Sequence, residues 1–276
     1  MPRIDVGDGL SLNVERAGAG RPVVLLHGFT GASTTWQFMA DAFAARAELI
    51  AIDIVGHGSS DSPPEVDRYQ MRRAVDDLVT ALASTSHDTG AVWLGYSLGA
   101  RVALQVAVHR PEAVTALILE GGSPGLADPA ERAARVASDE VLANRIEREG
   151  LEAFVDYWQS IPLWDSQQRL PAEVHAALRR QRLANDPVGL ANSLRGMGTG
   201  AQDPLHDRLA AVAVPTLLVT GALDLKFTQI AAEMAVAMPR AETCVIPEAG
   251  HAAHLEQPAA FQAAVFAFLD RLDAGR

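Results

Sequence analysis

The chain has 276 residues, 49% of them apolar, and a formal charge of −11, which suits one large α/β domain with a substantial core or two small ones. The negative balance, with no basic run, argues against nucleic acid as a partner. No apolar run approaches the ~20 residues needed to span a bilayer, and the segment from Met1 to Asp5 lacks the charged and apolar sections of a signal peptide, so a cytoplasmic protein off the membrane is expected.

In chain order, Ile4 to Val6 and Leu10 to Glu15 flank Gly7-Asp8-Gly9 and predict an antiparallel hairpin at a sheet edge. Short apolar segments then alternate with helical patterns: Val23 to Leu26, Leu49 to Ile52, Ala91 to Leu94, Val114 to Leu119, Thr216 to Thr220 and Thr243 to Ile246. That alternation predicts a mainly parallel sheet with helices on both faces, and the unbroken apolar runs predict strands covered on both sides. After Leu119 the rhythm breaks, and Glu131 to Arg148, Leu151 to Ser160, Pro171 to Asn185 and Pro187 to Met197 all read as helices. The expected division is therefore a core of residues 1–121 and 207–276 with a helical cap, 122–206, over the carboxyl ends of the strands, where open α/β sheets place ligands. Pro258 to Leu272 reads as a closing amphipathic helix. Gly18-Ala19-Gly20 reads as a turn, and the glycines of Asp53 to Ser60 predict a tight surface loop. The single cysteine, Cys244, excludes an internal disulfide and is expected to be a buried thiol.

Gly95-Tyr96-Ser97-Leu98-Gly99 stands between a strand pattern and a helical one. That context makes Ser97 a candidate nucleophile on a strained turn, with small residues either side so that strand and helix pass closely. A serine there needs a base and an acid, in the chain order Ser, Asp, His. Asp224 follows the strand Leu217 to Thr220 and His251 follows Thr243 to Ile246, which puts both on the rim that carries Ser97. An oxyanion hole is expected from the amides of Phe29, in His27-Gly28-Phe29-Thr30-Gly31, and of Leu98. His27 and His57 read as structural. The histidines have no metal-ligand spacing and no phosphate loop appears, so neither a metal nor another cofactor is expected.

These segments identify the chain as similar to the α/β-hydrolase superfamily over essentially its whole length. More narrowly, Glu120 to Leu126, Arg101 after the elbow, Leu225-Lys226-Phe227 after the acid and Gly250-His251-Ala252-Ala253-His254 resemble the 2-succinyl-6-hydroxy-2,4-cyclohexadiene-1-carboxylate synthases of menaquinone biosynthesis. The resemblance implies a lyase that eliminates pyruvate from 2-succinyl-5-enolpyruvyl-6-hydroxy-3-cyclohexene-1-carboxylate, its serine acting as a base toward a carbon-bound proton. It further implies that Arg101, Arg135 and Arg182 meet substrate carboxylates and that Tyr96 and Trp158 line an aromatic pocket. Two departures from the family pattern, Ala100 after the elbow and the Pro187 region, remove no required group. The residues alone leave open a serine hydrolase acting on an ester or carbon–carbon bond, and a noncatalytic small-molecule receptor on the same fold. The expected partner is a small polycarboxylate, and the expected state a monomer or small homo-oligomer.

Overall fold

A computed structural model describes residues 3–85 and 90–274; Met1 and Pro2, part of the N-terminal segment read above, lie outside the described residues. Eight strands form one sheet: β1 (Arg3–Gly7), β2 (Leu10–Ala17), β3 (Pro22–Leu26), β4 (Glu48–Ile52), β5 (Ala91–Tyr96), β6 (Val114–Glu120), β7 (Thr216–Gly221) and β8 (Ala241–Ile246), in the order β1-β2-β4-β3-β5-β6-β7-β8. β1 pairs antiparallel with β2, and β2 antiparallel with β4; every other pairing is parallel. The expected hairpin is present, with β1 at the edge.

The helices are α1 (Ala40–Ala44), α2 (Met71–Ala83), α3 (Leu98–His109), α4 (Pro129–Glu149), α5 (Leu151–Gln159), α6 (Ala172–Leu183), α7 (Pro187–Met197), α8 (Leu225–Ala237), α9 (Ala253–Glu256) and α10 (Pro258–Ala274). Period-two alternation sorts the buried strand residues between two layers. Val24 and Leu26 join Leu78 of α2, Val102 of α3 and Met234 of α8. Val23 and Leu25 join Trp36, Phe43 of α1, and Phe261 and Val265 of α10. β4, β5 and β7 are buried throughout, as strands covered on both faces should be. β8 departs from that expectation, because as the last strand of the sheet it is exposed along most of its length, and Cys244 on it is half-buried rather than buried.

Between β6 and β7 the chain forms α4 to α7, plus a 3-10 stretch over Pro162–Arg169 that the helical periodicity does not announce. Asp128-Pro129 and Asp186-Pro187 start α4 and α7 in the same way. Each aspartate accepts hydrogen bonds from the next two free amides, and each proline occupies a position whose N–H would be unbonded. These helices share a small apolar core of their own, including Ile146, Phe154 and Leu190, against which Phe29 packs. The loop Asp53 to Ser60 is mostly buried rather than superficial. α7 lies directly on it: a Cβ at Gly189 would stand 2.4 Å from the Gly56 carbonyl oxygen, so two glycines let backbone touch backbone.

Candidate active site

Ser97 sits between β5 and α3 with φ 51° and ψ −105°, a left-handed backbone no ordinary serine prefers. The turn is tight. A Cβ at Gly95 would be 2.3 Å from the Gly99 carbonyl oxygen, and one at Gly99 2.3 Å from that of Leu26. The Ser97 amide donates to the Glu120 carbonyl at 2.8 Å, which ties the turn to the end of β6.

His251 Nδ1 lies 2.7 Å from Asp224 Oδ2, and His251 Nε2 lies 3.0 Å from Ser97 Oγ. A carboxylate only accepts, so Nδ1–H donates to Asp224 and Nε2 is left to accept from the Ser97 hydroxyl. The three side chains thus form one hydrogen-bonded line in which proton transfer from Ser97 to His251 leaves the imidazolium facing Asp224. A second pair steadies the segment after His251: Glu120, fully buried, accepts from His254 Nδ1 at 2.8 Å and from the His254 amide at 2.9 Å.

Phe29 and Leu98 line the same cavity, and their amides have no acceptor within the protein among the described residues. The loop carrying Phe29 is held by His27. His27 Nδ1–H donates to the Gly28 carbonyl at 2.8 Å, and Nε2 accepts from the Ile54 amide at 3.0 Å. His57, beside it, donates from Nδ1 to the Val55 carbonyl at 3.2 Å. Burial lowers the pKa of both rings, that of His57 to about 3, so both are neutral braces at physiological pH.

Ser97 opens onto a cavity of about 450 Å³. Its walls bring together Phe29, Tyr96, Leu98, Arg101, Arg135, Trp158, Asp224 and His251, so nine of the ten residues singled out from the sequence, Ser97 included, meet there. Arg182 does not. Its guanidinium is buried in a side chamber of about 40 Å³ that shares Phe29, Tyr96 and Trp164 with the main cavity. Burial lowers the Arg182 pKa, and no carboxylate pairs with it among the described residues. Arg101 donates to the Met197 carbonyl at 2.8 Å and to Gln202 Oε1; burial first, and the neighbouring Arg135 charge second, push its pKa down to about 10. Arg135 Nε donates to Asp139 Oδ1 at 2.8 Å. Trp158 Nε1 and Ser193 Oγ, both on the wall, are buried with no protein partner among the described residues.

The cavity also holds Trp164, from the 3-10 stretch and with an Nε1 unpartnered among the described residues, and Ser193, from α7, both of which sequence reasoning passed over. With them stand Lys226 and Phe227 from the start of α8, which sequence reasoning noted after the acid without placing them in the site. Lys226 is the chain's only lysine, a signal that composition did carry.

A serine on a tight strand-to-helix turn after β5 of a mainly parallel sheet, hydrogen-bonded in line with a histidine after β8 and an aspartate after β7, defines an architecture. The chain belongs to the alpha/beta hydrolase fold family, whose model matches residues 21–258. It is 43% identical to a protein of Bacillus subtilis (strain 168) provisionally named 2-succinyl-6-hydroxy-2,4-cyclohexadiene-1-carboxylate synthase, over 96% of this chain and 97% of that one. It is 33% identical to the 2-succinyl-6-hydroxy-2,4-cyclohexadiene-1-carboxylate synthase of Serratia proteamaculans (strain 568), covering 93% and 96%. The solved structure of MenH from S. aureus superposes with a TM-score of 0.90 at 33% identity, covering 94% of this chain and 98% of that one.

Proposed function

We propose that this protein is a carbon–oxygen lyase that releases pyruvate from 2-succinyl-5-enolpyruvyl-6-hydroxy-3-cyclohexene-1-carboxylate, giving the cyclohexadiene product of menaquinone biosynthesis. The relatives support the reaction. The observation that carries it into this molecule is that the cavity exposing Ser97 also holds Arg101, Arg135 and Lys226, three cations inside a protein of charge −11. A polycarboxylate fits such walls, and a neutral ester has no use for them.

In this reading His251 takes the Ser97 proton, and the alkoxide removes a proton from a ring carbon. The electron pair left behind forms the new ring double bond as the carbon–oxygen bond to the enolpyruvyl group breaks. Ser97 keeps the proton from the ring carbon, the His251 imidazolium gives its proton to the departing enolpyruvate, which leaves as pyruvate, and both residues recover their starting protonation. Charge that develops on oxygen is met by the Phe29 and Leu98 amides, each such donor being worth about 3 kcal/mol of barrier. Asp224 holds the His251 tautomer. Tyr96 and Trp158 complete the substrate contacts, Arg182 stands behind Tyr96 in the side chamber, and residues 122–206 act as the cap.

The same line of Ser, His and Asp can also cleave esters through an acyl-enzyme. A pyruvate-release assay separates the two. The lyase reading expects turnover of the enolpyruvyl substrate far above that of an aryl acetate; efficient ester cleavage without pyruvate would reverse the assignment. Arg135→Ala should raise KM for the polycarboxylate by roughly tenfold to a hundredfold, the worth of one charged hydrogen bond, and spare a neutral ester.

A further inference from the structure

Asp139, on α4, is a poor choice for stability where it stands. It is 2% exposed, and only one of its oxygens is used. Oδ1 accepts from Arg135 Nε at 2.8 Å, whereas Oδ2 is buried with no partner among the described residues. A half-satisfied buried carboxylate costs more than an apolar side chain of the same volume would. The surroundings are nevertheless shaped to admit it: a Cβ at Gly198 would lie 2.5 Å from Asp139 Oδ2, and one at Gly200 would lie 3.0 Å from the Cβ of Arg135.

What Asp139 does becomes plain from the donors it leaves free. It grips Arg135 by Nε, and the two terminal nitrogens of Arg135 have no protein partner among the described residues. Arg101 is gripped by one terminal nitrogen, through Met197 and Gln202, and its other donors are likewise without a partner there. Both arginines line the cavity. Two cations and one anion leave a single positive charge unbalanced, on residues that line the cavity and keep donors free for a carboxylate.

We propose that Asp139 is a positioning residue for carboxylate recognition: an internal counterion that presents the terminal edge of Arg135 to the cavity and lets Arg101 and Arg135 coexist until a substrate carboxylate joins them. The proposal rests on the reading that the cavity takes a polycarboxylate. Asp139 then competes with the incoming carboxylate for charge while fixing the geometry that receives it, and two substitutions separate those effects. Asp139→Asn keeps an acceptor for Arg135 Nε but removes the charge; Asp139→Leu removes both.

The experiment measures KM and kcat for pyruvate release, and binding of succinate by calorimetry and by the shift it causes in Tm. Asp139→Asn should lower both KM and the succinate Kd about threefold or more, because the ligand no longer shares its cations. Succinate should raise the Tm of this variant further than it raises that of the native protein. Asp139→Leu should raise both constants by about tenfold, with the change on KM rather than kcat. Loss of Tm in both variants with KM and Kd unmoved is the mark of a merely structural residue and overturns the proposal, as does a native protein that fails to bind succinate at millimolar concentration. Asp139→Asn decides alone should Asp139→Leu fail to fold. Succinate binding with no pyruvate release would end the lyase reading and leave the role of Asp139 standing.

Discussion

Ser97 combines two demands that oppose one another. Its φ of 51° throws the hydroxyl toward His251, yet that backbone region disfavours any residue with a Cβ, at a cost of order 1–3 kcal/mol. Replacing it by glycine relieves the strain at a cost of about 0.5–1 kcal/mol in unfolded-chain entropy. Ser97→Gly should therefore abolish turnover while raising Tm by about 2–4 °C. Ser97→Ala should abolish turnover with Tm near that of the native chain, since the Cβ and its strain remain. Equal Tm values for the two variants would show that the elbow stores no more strain than the roughly 0.5–1 kcal/mol entropic cost of glycine. Residues of this kind were legible from the sequence because their chemistry is local: a glycine-flanked serine after a strand, an aspartate and a histidine each just past another. Trp164 and Asp139 were not legible. Nothing in the residues around either one says that it faces a cavity whose other walls lie far along the chain.

The strands and most helices were equally legible, since burial on two faces demands apolar runs and Asp-Pro pairs announce two helix starts. What periodicity could not show is how the inserted helices meet the core. α7 does so through small residues: besides Gly189 against Gly56, a Cβ at Gly196 would lie 2.5 Å from the Tyr69 carbonyl oxygen. This contact explains why the Asp53 to Ser60 loop is buried, against the expectation from its composition. It also makes α7 the seat of α4, which packs on it and carries Arg135. Gly189→Ala and Gly196→Ala each put a methyl into backbone that cannot yield cheaply, so each should cost about 1–3 kcal/mol. Both should also raise KM, through a displaced Arg135. Val188→Ala, on the same helix but 43% exposed, should leave stability within roughly 0.5 kcal/mol. Thermal melts and KM values for the three variants check this, and an unchanged Tm in both glycine variants would mean that α7 does not sit where described.

For the whole molecule, the decisive balance is between buried neutral bases and buried carboxylates as pH falls. His27 and His57 have pKa values lowered by burial, that of His57 to about 3, whereas an unfolded histidine titrates near 6.5. The unfolded chain binds these protons first, so stability starts to fall as pH drops below about 6.5 and continues to fall toward the folded values. Asp77 and Asp139 act in the opposite sense. Burial raises their pKa values, so the folded state takes up their protons early and gains stability as pH falls. Loss of surface negative charge from a chain of −11 also eases self-repulsion on acidification. The buried histidines thus weaken the fold as pH drops below about 6.5, joined at lower pH by the surface carboxylates Glu112, Glu140 and Glu147, whose hydrogen bonds to Arg110 or Arg195 lower their pKa values. His57, whose Nε2 is buried without a partner among the described residues, is the clearer of the two buried rings. His57→Gln keeps a side-chain donor near the Val55 carbonyl and removes the titration. Between pH 5 and 4 the slope of unfolding free energy against pH should be shallower in this variant by about 1.4 kcal/mol per pH unit, the value for one proton. Urea unfolding at half-unit intervals from pH 7 to 4 measures it. Superimposable slopes would show that His57 is already protonated in the folded state over this range, and would move the origin of acid lability elsewhere in the fold.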